Sequence, residues 1–82
     1  MMMVYVVMCV YEDAFDFSVA GNLKAAIKTA NHYVEELLQD GFKPDEDWDS
    51  DPFLAEDKTF KVFEGRKGIV RVYFREKEVL ND

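Results

Sequence analysis

The sequence predicts an α+β fold: an antiparallel sheet of three to four strands with one amphipathic helix on one face, in the order β(β)αββ. Three observations carry that prediction. Residues 3–11 (MVYVVMCVY) are apolar on both faces of a period-2 pattern, which marks an interior strand covered on both sides. Residues 23–38 repeat apolar side chains at helical spacing. Residues 59–76 hold two runs either side of Gly65-Arg66-Lys67-Gly68, the pattern of a glycine-bounded hairpin. At 82 residues the chain is expected to be a single domain, 1–82, burying only about 60–65% of its unfolded surface.

After the first strand, Glu12, Asp13 and Ala14 make a turn. Phe15, Phe17 and Val19 then alternate with Asp16 and Ser18, which reads as a short, half-exposed strand returning antiparallel. Asn22 is a good helix N-cap. Leu23, Ile27, Ala30, Val34 and Leu37 follow on one helical face, and Gly41 supplies the left-handed C-cap residue. The helix charges oppose its macrodipole, with Lys24 and Lys28 near the N-terminus and Glu35, Glu36 and Asp40 near the other end. Residues 42–57 have no period and contain both prolines. They form a long acidic loop, well beyond the ~4–6-residue median connection, and Trp48, Phe53 and Leu54 would dock it on the body.

In the hairpin, Phe60 and Val62 are expected to face the core with Val70, Val72 and Phe74. Lys61, Phe63, Arg71, Tyr73 and Arg75 would take the opposite face, and the tail from Lys77 onward would fray. One helix covers one face of such a sheet, yet the first strand is apolar on both. The second face therefore needs a cover: the Trp48/Phe53/Leu54 loop, a second copy of the chain, or a different protein.

Charge is unevenly distributed. Residues 35–57 carry ten carboxylates against Lys43, whereas residues 58–75 carry six lysines and arginines against Glu64. With a formal net charge of −7, direct binding of nucleic acid is not expected, because a polyanion is repelled at long range. Cys9 is the lone cysteine, so no internal disulfide forms and its position suits a small buried hydrophobe. Residues 3–11 are too short to cross a membrane and lack the positive residues of a signal peptide. The expected location is cytoplasmic, with no membrane contact.

Asp45, Asp47, Asp49, Asp51 and Glu56 match the alternate ligand positions of a calcium loop. Ser50 stands where that loop needs glycine and Pro52 where it pairs as a strand, so the five are weak candidates for Ca²⁺ or Mg²⁺ and the metal question stays open. Read instead as a phosphate mimic, the same carboxylates suit a basic protein groove that normally holds nucleic acid. In bulk the chain resembles short acidic phage accessory proteins that block nucleic-acid-handling machinery. His32 has Lys28 and Glu36 each four residues away, which suits an exposed ion pair better than catalysis.

No residue set points to catalysis or to a cofactor, so the chain is expected to be non-enzymatic. The expected activity is binding of a protein partner, a basic nucleic-acid-binding site being one option, through Asp45, Glu46, Asp47, Trp48, Asp49, Asp51, Phe63 and Tyr73. The alternatives are a divalent-metal module built on residues 45–56 and a structural homodimer.

Overall fold

The computed structural model describes residues 2–45 and 51–80. Its elements are β1 (Met2–Val10), β2 (Phe15–Ala20), α1 (Leu23–Gln39), β3 (Lys43–Pro44), β4 (Phe60–Gly65) and β5 (Gly68–Val79). The strands form one antiparallel sheet in the order β2-β1-β5-β4-β3. The helix-plus-antiparallel-sheet class is as predicted, but five strands replace three to four. The extra strand is β3, where Lys43 pairs with Glu64 and Pro44 with Phe63. Two residues carry no readable period, and a proline without an N–H is tolerated at an edge. The tail also differs: Val79, Glu78 and Lys77 pair with Met2, Met3 and Val4.

The helix forms for the reasons its sequence supplies. Asn22 caps the first turn, its side-chain oxygen accepting from the Ala25 N–H at 2.8 Å. At the other end Gly41 takes φ 91°. Its N–H donates to Leu38 O at 3.2 Å and that of Phe42 to Leu37 O at 3.0 Å, the paired bonds of a Schellman closure. The ring of Phe42 then lies against Gly65, where a Cβ would sit 2.7 Å from it. Ala26, Ala30, Tyr33, Val34 and Leu37 turn inward, and the two alanines let the helix approach the sheet closely.

Beneath the helix lie Val7 and Cys9 of β1, Ala20 of β2, Val70, Val72 and Phe74 of β5, and Phe63 of β4. Tyr33 reaches from α1 to bond Ser18 of β2, oxygen to oxygen, at 2.8 Å. His32 and Glu36 pair at 3.2 Å on the exposed helix surface.

The expected phase of β4 is reversed. Phe63 stands opposite Val70 and Lys61 opposite Val72, and residues directly opposite share a face. Phe63 and Lys61 therefore point into the helix-covered core, both fully buried. Phe60 and Val62 pair with Tyr73 and Arg71 on the other side. Phe63 is thus a core residue and not part of an exposed aromatic face.

Candidate functional site

The sheet surface away from the helix is assembled by register, row by row. Phe17, Met8, Tyr73 and Phe60 form one row across β2, β1, β5 and β4. Phe15, Val10, Arg71 and Val62 form the next, and Val19, Val6 and Arg75 lie on the other side. Phe15 is 65% exposed, Phe17 55%, Val19 62%, Phe60 38% and Ile69 39%. A water-filled protein surface seldom carries such a contiguous apolar patch without a use for it.

Local contacts organise the aromatic rings. Phe15 and Phe17 stack at 6.3 Å, while Phe60 meets Tyr73 at 5.6 Å. The Arg75 guanidinium lies over the Tyr73 ring at 5.6 Å, a cation–π contact that holds the arginine against the sheet. Between β1 and β5, Val6, Met8, Tyr73, Arg75 and Lys77 line a shallow groove of about 220 Å³. The face thus divides along β1: aliphatic and aromatic on the β2 side, tyrosine with exposed Arg71, Arg75 and Lys77 on the β5 side.

Among the described residues of the long connection, Leu54 does not reach this face. Leu54 is buried in the helix-side core, and Asn31 of α1 clasps it. Asn31 Nδ2 donates to Leu54 O at 3.0 Å, and the Leu54 N–H donates to Asn31 Oδ1 at 2.6 Å. An Asx turn, with the Phe53 N–H on Asp51 Oδ1 at 3.0 Å, precedes it. The Asp51 carbonyl accepts from Lys61 Nζ. Of the three covers the sequence allows, the described end of the loop is therefore on the helix side.

The sequence-derived contacts separate accordingly. Tyr73 lies on the uncovered face and Phe63 in the core. Asp45 is half-buried beside β4, its N–H on Val62 O at 2.9 Å, and Asp51 is exposed. Glu46, Asp47, Trp48 and Asp49 fall outside the described residues, as do two of the five metal candidates. No cluster of metal-ligating side chains occurs among the described residues. Phe15, Phe17, Val19 and Phe60 were missing from the predicted contacts. The alternation of β2 signalled the first three as one face, but only the register shows that this face lies away from the helix.

Among the described residues, burial perturbs three groups. Desolvation pushes the Cys9 thiol up, with Asp16 and Glu36 adding to the effect and the Tyr11 hydrogen bond opposing it. Tyr11 is pushed up to about 12, chiefly by desolvation and then by Cys9. Desolvation holds the Lys61 ammonium below the usual lysine range, Lys58 adds to this, and Asp51 partly restores it. A buried lysine whose ammonium meets a neutral carbonyl is a costly way to fill space. Lys61→Met, similar in volume, is expected to raise stability by about 1 kcal/mol at pH 7. Between the depressed folded pKa and the unfolded value of about 10.4, the unfolded chain binds more protons, so wild-type stability rises with pH. The advantage of Lys61→Met should therefore shrink from pH 7 to pH 10 in urea denaturation; an advantage that grows would contradict the assignment.

No protein-family model, curated protein or solved structure matches the chain. Among the described residues no helix is long and apolar enough to cross a membrane.

Proposed function

We propose that this chain is a small non-enzymatic binding module that engages a protein partner through its uncovered sheet face. One observation carries the reading: Phe15, Phe17, Val19, Phe60 and Ile69 leave an apolar surface in water beside Tyr73 and three cations of β5. Taking about 150–200 Å² for each fully exposed side chain, those five alone present on the order of 500 Å². The whole face then approaches the roughly 800 Å² that one side of a standard protein interface buries. Aliphatic side chains outnumber rings on it, which favours a protein over stacked bases. The acidic stretch that contains Asp45, Glu46, Asp47, Trp48, Asp49 and Asp51 supplies a second contact in this proposal.

Immobilised wild-type chain should retain protein, a soluble copy of itself or another protein, that immobilised Phe17→Asp does not, with both folded by circular dichroism. Retention of the same proteins in the same amounts by the two would remove the face from the function.

A further inference from the structure

We infer that the occupant of the uncovered face is a second copy of this chain, seated sheet on sheet about a two-fold axis that runs along β1. The inference rests on the binding-face reading above and names its partner. One observation selects a second copy: the way the face divides in two, with cations on the β5 side and rings and aliphatic side chains on the β2 side.

A two-fold interface must be self-complementary, each residue meeting its counterpart's partner. An axis along β1 keeps every row in place and exchanges its two sides. In the first row that sets Arg71 over the Phe15 ring of the other copy, since Val10 stands between them in the register. In the next it sets Tyr73 against Phe17, with Met8 between. In the third it sets the stem of Arg75 against Val19, with Val6 on the axis. Cations thus land on ring faces and aliphatic surface, where they gain cation–π contact and keep their heads towards the rim. Arg75 already adopts this role towards Tyr73 within one chain. An axis along β5 would instead oppose Arg71 to Arg71 and Arg75 to Arg75.

The same axis explains why β1 is apolar on both faces. Val7 and Cys9 fill the core under the helix, while Val6, Met8 and Val10 would meet their own copies. Sheets packed in this way lie about 10 Å apart, with inner side chains interdigitated. Both helices would face outward, so the dimer displays Glu35, Glu36 and Asp40 twice.

Salt separates this occupant from an anionic one. Two chains of net charge −7 repel at long range, and raising ionic strength from about 20 to 300 mM screens that repulsion. A second copy therefore binds more tightly at high salt, whereas an acidic peptide or a nucleic acid on Arg71, Arg75 and Lys77 would bind more weakly.

Sedimentation equilibrium on the full chain at about 1–100 μM, with methyl NMR of Met8 in the presence of a soluble nitroxide, tests the inference. The expected result is a dimer that strengthens with salt and a Met8 methyl shielded from the nitroxide. Phe17→Asp should weaken it about 100-fold or more by burying an unpaired charge, and Arg71→Glu should weaken it as well. Glu35→Gln, on the outer helix surface, should not weaken it. A monomer at 100 μM whose Met8 methyl is bleached overturns the second copy and leaves the face as a site for another protein. A monomer whose Met8 methyl stays shielded overturns both the second copy and the binding-face reading. A dimer unaffected by Phe17→Asp, or weakened by salt, places the contact elsewhere and also overturns the inference.

Discussion

Phe63→Ala is expected to destabilise the chain by about 3–5 kcal/mol, the usual cost of deleting a buried phenylalanine ring. A chain of 82 residues has a total stability of roughly 4–12 kcal/mol at typical values per residue. The substitution therefore removes a large share of it, and a folded fraction well below that of wild type is expected at 37 °C. Phe63 is fully buried and sits among Val70, Phe42 and the core side of β5. Phe60, three residues earlier, should behave differently. Its ring is 38% exposed and leans on Tyr73, so Phe60→Ala should cost about 1 kcal/mol or less in the monomer. Urea denaturation of the two variants side by side checks this. Equal costs would mean either that β4 has the opposite phase or that Phe60 is covered in solution. Repeating the comparison at rising protein concentration separates these, because only a cover supplied by another copy depends on concentration.

This pair of phenylalanines also marks where the fold was legible in the chain and where it was not. The helix could be read directly: Asn22, the apolar positions from Leu23 to Leu37, and Gly41 all act locally, and the observed caps use those residues. The hairpin was equally visible, because glycines bracket its turn and Gly68 takes φ 105°. Gly65 pairs with Gly68 and Glu64 with Ile69, and counting on from that turn sets Phe63 against Val70. The phase of β4 was thus present in the turn, but the charge of Lys61 pointed the other way. A lysine at a core position violates the usual burial preference, and it is tolerated here because the Asp51 carbonyl meets its ammonium. That partner comes from ten residues away in the loop, beyond the reach of any local pattern.

The candidate site shows the same division. Two apolar faces on β1 signal a surface in need of cover, and that feature persists: Val6 and Met8 line an open groove while Val7 and Cys9 are buried. Which other residues share the open face depends on strand order. β5 inserts between β1 and β4, and this brings Arg71, Tyr73 and Arg75 to the middle of a surface whose other half comes from β2. No spacing along the chain encodes that adjacency. The edge strand β2 is also blunted in a way that alternation hides: the Asp16 carboxylate accepts from the Phe17 N–H at 2.8 Å. A charged residue occupying an edge N–H discourages strand addition there.

Asn31→Ala should detach the loop end from the helix while leaving the sheet intact. One side-chain amide satisfies both backbone groups of Leu54, and because it donates to the carbonyl and accepts from the N–H of the same residue, its orientation is determined. Leu54 is 4% exposed. Without the amide, each unsatisfied group left buried costs about 1–3 kcal/mol. Burying the leucine side chain contributes only about 1.5–3 kcal/mol, so the two terms favour release of the segment over a strained, docked state. The expected loss is about 2–3 kcal/mol in global stability, with the larger change local. Hydrogen exchange should show the Leu54 amide unprotected in the variant, and the amides of Val7, Cys9, Val70 and Val72 nearly as slow as in wild type at matched stability. Asn31→Asp gives an asymmetric version: the carboxylate still accepts from the Leu54 N–H but repels its carbonyl, so the loss should approach that of alanine. The consequence for assembly follows from where the clasp lies. It holds Asp51 and Leu54 on the helix side, away from Arg71, Arg75 and Lys77. Once released, the acidic segment is free to compete for those cations, and self-association of Asn31→Ala should weaken relative to wild type even though every residue of the sheet face is unchanged. Equal dimer affinities for the two chains, with Leu54 exchange accelerated, would show that the clasp serves stability alone.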